Sequence, residues 1–188
     1  MRSAGEATRD RILAAAKDEF ARYGLAGARI NRIAADARAS KDRLYAYFAS
    51  KEELFTAVTA EWTVETTAET ALRGDDLPGY AGRLFDNYVA HPENARLQQW
   101  ADLEMPDIMS ENDIRSNTLQ PKIAEIRKGQ ADGHIDPGWN PAELLFVVTD
   151  LARTLALPRG NGATSKVSRS VSQRRETAVE AVRRLIAA

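Results

Sequence analysis

The spacing of apolar residues constrains this chain most: it repeats at three and four positions through nearly every segment and nowhere alternates as a strand requires. Ile12, Leu13, Ala16, Phe20 and Tyr23 share one side of a helix expected over 8–23. Thr8 is its expected N-cap, Asp10 sits in its first turn, and Gly24 can stop it in the left-handed conformation. A second helix over 29–37 buries Ile30, Ile33 and Ala34. After a short break at Arg38-Ala39, Ser40 can cap a third helix that runs to about Phe48 and buries Leu44 and Phe48. Ser50 followed by Glu53 reads as a capping box, opening a long fourth helix to about Leu72.

Gly74-Asp75-Asp76-Leu77-Pro78-Gly79 is a break. Further helices are expected over 80–90, 92–105 and 111–131, with Pro92 in a first helical position and Pro121 kinking or splitting the last. Residues 132–138 form a loop and 141–157 an apolar helix. Residues 158–168 read as a second loop, before a final helix over 170–187 striped by Val171, Ala178, Val179, Val182 and Ile186. The expected fold is therefore all-α, with an N-terminal three-helix helix-turn-helix domain over 1–51 and a larger helical domain over 52–188.

Charge divides the chain in the same place. The net charge is −1, yet residues 1–51 hold 11 Lys/Arg against 6 Asp/Glu, and residues 52–188 hold 15 against 21. A basic head on an acidic body implies that the head meets a polyanion and the body does not. No run of eighteen apolar residues exists, so no membrane partner is expected. Polar residues follow Met1 directly, which argues against a secretion signal, and the chain has no cysteine. A cytoplasmic location is the expectation.

Three short helices with a tight turn between the second and third suit a unit whose last helix enters the DNA major groove. Lys41 and Arg43 can reach guanine edges or phosphates, and the hydroxyls of Ser40, Tyr45 and Tyr47 can bond phosphate oxygens. Arg29 and Asn31 open the second helix, where free N–H groups favour a phosphate, and Lys51 adds a cation to the same edge. Taken singly, each of these is as readily an ordinary surface residue; the joint spacing carries the reading.

Over residues 8–56 the chain resembles the TetR family of bacterial repressors. The likeness rests on Arg11-Ile12-Leu13-Ala14-Ala15-Ala16, Phe20, Tyr23-Gly24, Ile33-Ala34 and Leu44-Tyr45-Ala46-Tyr47-Phe48-Ala49-Ser50-Lys51-Glu52-Glu53-Leu54. It implies DNA contacts from Lys41, Arg43, Tyr45, Tyr47 and Lys51, supported by Arg29 and Asn31. Arg38 departs from the glycine common in that family's turn, so the turn manages without glycine or Arg38 carries strain. Asp42 and Arg43 stand where small residues are common. Asp42 repels phosphate, which leaves it a cytosine amine or Arg43 as partner.

Residues 52–188 resemble the family's regulatory domain in helical layout. That layout implies a homodimer through 141–157 and 170–187, and the wide apolar arc of Leu144, Leu145, Val147, Val148, Leu151 and Leu155 fits such an interface. It also implies a small-molecule effector cavity among the middle helices. The large side chains there are Trp62, Phe85, Tyr88, Trp100, Met105, Met109 and Phe146, each of which as a core residue would need no ligand.

His91 and His134 read as surface or capping residues. There is no phosphate-cradling glycine motif and no nucleophile elbow, and Asp102 and Glu104 do not share a helix face. No enzyme activity, catalytic residue, metal site or cofactor is expected. The expected function is that of a DNA-binding transcriptional regulator, a repressor released from its double-stranded operator by an effector. The alternative is a helix-turn-helix protein whose second domain only dimerises or binds a protein partner.

Overall fold

A computed structural model of the chain describes residues 4–104, 114–157 and 170–187, with side chains described over 5–104, 118–157 and 170–187. Among these residues every regular element is a helix. They are α1 (Ala4–Gly27), α2 (Ile30–Asp36), α3 (Lys41–Tyr45), α4 (Lys51–Glu69), α5 (Leu77–Ala90), α6 (Pro92–Glu104), α7 (Ile114–Ala131), α8 (Pro141–Ala156) and α9 (Val171–Leu185). The loop expected over 158–168 lies outside the described residues. The chain divides into two compact units, one of residues 1–64 with 93–113, the other of 65–92 with 114–188.

In the first unit four of the five residues of the predicted apolar stripe of α1 are buried, while Tyr23, at its end, is 45% exposed. Ile12, Leu13, Ala16 and Phe20 close on Ile33 and Ala34 of α2, Leu44 of α3, Phe48, and Leu54, Phe55 and Val58 of α4. Phe20 and Phe55 meet edge to face, their centroids 5.0 Å apart. Leu97 and Ala101 of α6 complete this core, with Trp100 packed against it. α1 starts four residues before Thr8, so Thr8 does not cap it. Ala4 and Ala7 favour helix and Glu6 complements the amide dipoles of the first turn, while the Thr8 hydroxyl accepts from Arg11 Nη2 at 3.1 Å. Gly24 does interrupt the helix, at φ 66° and ψ −176°.

The break between α2 and α3 is a Schellman turn built without glycine. Ala39 N donates to Ala34 O at 2.9 Å and Arg38 N to Ala35 O at 3.0 Å, which requires the residue between them to be left-handed. Arg38 takes that place at φ 53°, so the strain expected of it is present. Arg11 Nε donates to the Ala37 carbonyl at 3.1 Å, satisfying one of the acceptors that the helix end exposes. At α4 the Ser50 hydroxyl accepts from Glu53 N at 3.0 Å, and the Glu53 carboxylate accepts from Ala49 N at 2.7 Å, one residue upstream of the reciprocal bond of a capping box.

In the second unit α5 packs against α8 and α9, burying Leu77, Tyr80, Leu84, Phe85 and Tyr88 with Leu144, Leu145, Val148, Ala178 and Val182. α5 begins three residues earlier than predicted because the Asp76 carboxylate accepts from Gly79 N and Pro78 fits the first turn. α7 is continuous across Pro121; the lost backbone bond does not split it. The loop over 132–138 is tied to the end of α9, with Asp136 N donating to Ile186 O and Trp139 Nε1 to Leu185 O, both at 3.1 Å. Val171, placed on the stripe of α9 by spacing, is exposed as the first residue of that helix.

Two turn residues carry opposite expectations. A Cβ on Gly24 would lie 2.7 Å from Trp100 at a left-handed φ, so Gly24→Ala should cost roughly 2 kcal/mol or more in urea unfolding. Arg38→Gly should instead raise stability by up to about 1 kcal/mol, as relief of the left-handed penalty outweighs the added freedom of the unfolded chain.

Candidate nucleic-acid interface

One carboxylate sets the geometry of the surface expected to face DNA. Glu19 falls in the apolar stripe of α1 and is only 5% exposed. It accepts from the backbone N–H of Arg29 at 2.8 Å and from Arg32 through both Nε (2.8 Å) and Nη2 (2.6 Å). Burial alone would raise its pKa, but the Arg32 bonds and the Arg29 amide outweigh burial and hold it below the ordinary carboxylate value. The amide at the start of α2 is therefore spent on Glu19 rather than left for a phosphate. The Arg32 guanidinium lies 4.4 Å from the centre of the Tyr23 ring, which fixes it from the other side.

Of the eight residues singled out for DNA, five line one open groove of about 550 Å³: Arg29, Asn31, Lys41, Tyr45 and Lys51. Arg32 lines it too, and Ala28 and Ile30 form its floor. Lys41 Nζ lies 5.7 Å from the centroid of the Tyr45 ring, which is itself 40% exposed. Lys51 is half-buried and donates to the carbonyls of Ala26 and Ala28, each at 3.4 Å. These long bonds to neutral oxygens leave its charge undiminished.

The other three face different duties. Ser40 is the N-cap of α3, as expected, its hydroxyl accepting from Arg43 N at 3.1 Å. Arg43 Nη2 donates to the Tyr47 hydroxyl at 3.0 Å and its guanidinium lies 5.3 Å from the centre of that ring. The Tyr47 hydroxyl in turn donates to Gly5 O at 3.0 Å. That hydroxyl already gives its proton to the protein and takes one from Arg43, so Tyr47 braces α3 against α1. Arg43 thus has Tyr47, not Asp42, as its partner.

Arg32 and Glu19 were missed by the sequence reading. The signal was a charged residue inside an apolar stripe, between Ala16 and Phe20, followed by arginines at 29 and 32.

The candidate effector residues that the structure describes are divided between the two units. Trp62 is buried in the first unit with its indole N–H unpaired, and Trp100 there lies against Gly24. Phe85 and Tyr88 are buried in the second unit. Phe146 is 47% exposed on α8 and so does not line an interior, because its neighbours Leu144, Leu145 and Val148 take the inward positions of the helix. Met105 and Met109 lie outside the described residues. His91 is the C-cap of α5, and His134 is exposed in its loop. Among the described residues no helix is long and apolar enough to cross a membrane.

Known proteins match along both parts of the chain. Residues 12–58 match the family model of bacterial regulatory proteins, tetR family, and residues 76–184 match a tetracyclin repressor-like C-terminal domain. The HTH-type transcriptional repressor SCO4008 of Streptomyces coelicolor is 40% identical over 148 residues, spanning 78% of this chain and 77% of its own. The crystal structure of the transcriptional regulator SCO4942, also from Streptomyces coelicolor, is 40% identical with a TM-score of 0.77, covering 95% of this chain and 97% of that one. FadR from Bacillus subtilis, crystallised with stearoyl-CoA, has a TM-score of 0.66 over 95% of this chain and 100% of its own; at 14% identity it shares the fold alone.

The Glu19 cluster generates a pH expectation. Its folded-state pKa lies below the ordinary value of 4.5, so its stabilisation is present at and above that value and is lost as pH falls through the lowered one. Glu19→Gln should cost about 1–3 kcal/mol at neutral pH and make stability fall less steeply on the acid side. Urea midpoints measured between pH 3 and pH 7 check both effects.

Proposed function

The chain belongs to the tetR family of bacterial regulatory proteins, and from that premise we propose how its parts divide the work. It is a DNA-binding transcriptional repressor. In our reading the groove lined by Arg29, Asn31, Lys41, Tyr45 and Lys51 is the operator-facing surface. The observation that carries this is the meeting of those five side chains, drawn from α2, α3 and α4, on one open face. Lys41 and Tyr45, on the exposed side of α3, reach base edges and phosphates, while Arg29, Asn31 and Lys51 grip the backbone of the same duplex. Arg43 extends the cationic surface beyond the groove, supported by Tyr47.

The rest of the reading concerns the second domain. Two copies pair through 141–157 and 170–187, so that two recognition helices address successive major grooves. The exposed Phe146 and Val147 of α8 support this, since two large apolar side chains on the outer face of a helix are better covered than wet. A small-molecule effector binds the helical domain and favours an arrangement that no longer fits the operator. It can do so only by binding that arrangement more tightly. The protein works in the cytoplasm, where its operator lies.

Operator selection from a random DNA pool, followed by salt titration of the selected duplex, tests the DNA surface. Lys41→Ala should lower the slope of log affinity against log salt by about one unit. Tyr47→Phe should leave that slope unchanged and cost only stability, because its hydroxyl is spent inside the head. Equal slopes for wild type and Lys41→Ala would remove α3 from the interface. For the dimer, Phe146→Glu should shift the light-scattering mass of the full chain from two copies towards one and weaken operator binding with it.

A further inference from the structure

The second unit holds a cation for which its described residues supply no counter-ion. Lys122 of α7 is half-buried, and its ammonium lies 5.6 Å from the centroid of the Tyr80 ring. Tyr80 is 1% exposed and shares a hydrogen bond with Thr149 of α8, so this ring is a fixed wall. Among the described residues no carboxylate or carbonyl pairs with the Lys122 ammonium, and burial lowers its pKa to about 8. The Tyr80 ring offsets part of the cost of burying this ammonium, and an anion placed beside it offsets the rest.

The neighbouring cation differs. Arg83, three residues beyond Tyr80 on α5, pairs with Asp76 Oδ2 at 3.0 Å and donates to Ala71 O at 3.0 Å, leaving only its buried Nε unbonded. Farther along the same face, Asn87 is buried with Oδ1 unbonded, although its Nδ2 donates to Glu69 at 2.6 Å. The Thr66 hydroxyl, also in this unit, is buried and unbonded too. Buried polar atoms in native proteins are rarely left without partners; of these, Arg83 Nε and the Thr66 hydroxyl can donate to an oxygen, whereas Asn87 Oδ1 can only accept.

We propose that the effector is a small organic acid whose carboxylate pairs with the Lys122 ammonium beside the Tyr80 ring. The inference rests on the effector-binding reading of the helical domain and adds the ligand's charge and its anchoring residue. The remainder of such a ligand is apolar, because the side chains buried around Tyr80 on α5 are Leu77, Ala81 and Leu84.

The test uses the full chain and four acids (hexanoate, decanoate, benzoate and phenylacetate), each beside its matched alcohol, at pH 7. At least one acid should raise the melting temperature of the wild type while its alcohol does not. Lys122→Met should bind that acid at least tenfold more weakly yet keep wild-type affinity for the selected operator. Without ligand, Lys122→Met should melt higher than wild type, because it removes a desolvated charge; a merely structural lysine would give the opposite shift. Lys122→Gln repeats the comparison should the methionine variant fail to fold. Silence from all four acids, or an acid response undiminished in the variants, overturns the proposal. Release of operator by the alcohols but not the acids would overturn it as well, while leaving the effector-binding reading standing.

Discussion

A carboxylate inside an apolar stripe is affordable only when every donor it needs is fixed around it, and Glu19 imposes that condition on the whole DNA-binding head. Its partners are the amide at the start of α2 and the guanidinium one turn farther on. Rotating or sliding α2 along α1 would therefore strand a buried charge, a much larger penalty than loss of an exposed ion pair. The register of α2 decides which of its side chains reach the groove, so Arg29 and Asn31 stand there because Arg32 cannot leave Glu19. The Schellman turn then fixes where α3 begins, and the Ser40 cap fixes its first turn. Lys41 and Tyr45 inherit their directions from this sequence of constraints.

The last residues of α1, beyond the interruption at Gly24, are held on both of their polar sides. The amides of Leu25 and Ala26 donate to the Glu104 carboxylate at the end of α6, while the carbonyls of Ala26 and Ala28 accept from Lys51 at the start of α4. Gly24 allows this by taking a left-handed φ with Trp100 pressed against it, where any side chain would collide. Residues 93–104 thus belong to the same compact unit as the helix-turn-helix. A movement of α6 would pull directly on the amides of Leu25 and Ala26, only a few residues before the groove begins at Ala28.

Local signals in the sequence were enough for the helices, since caps and periodicity act within a few residues. Ser40, Gly24 and most apolar positions of α1 to α4 behave as their neighbours dictate, Tyr23 being exposed where spacing placed it inward. The upstream extension of α1 past Thr8 was not legible, because alanines and a glutamate carry no stop signal and a threonine does not have to cap. Of the candidate site, the exposed cations of α2 and α3 were readable from spacing. The roles of Tyr47 and Glu19 were not, because each depends on a partner far away in sequence: Gly5 lies 42 positions before Tyr47, and Arg32 lies 13 after Glu19. Phe146 shows the converse error. Size and apolarity suggested an interior residue, but on a helix that is apolar over a wide arc only the neighbours in space decide which side turns inward.

How the head's cations are held bears on how strongly it can attract a polyanion. Arg11, Arg43 and Lys51 are fixed mainly by neutral acceptors: the carbonyls of Ala37, Ala7, Ala26 and Ala28, and the hydroxyls of Thr8 and Tyr47. A bond to a neutral oxygen orients a cation without cancelling its charge, whereas the carboxylate facing Arg32 cancels most of one. Ordering of the side chains thus costs the head little of its positive field. The entropy of immobilising several long side chains has been spent during folding, before any duplex arrives. Binding then has to supply mainly the exchange of counterions for phosphate contacts, and that exchange depends directly on salt.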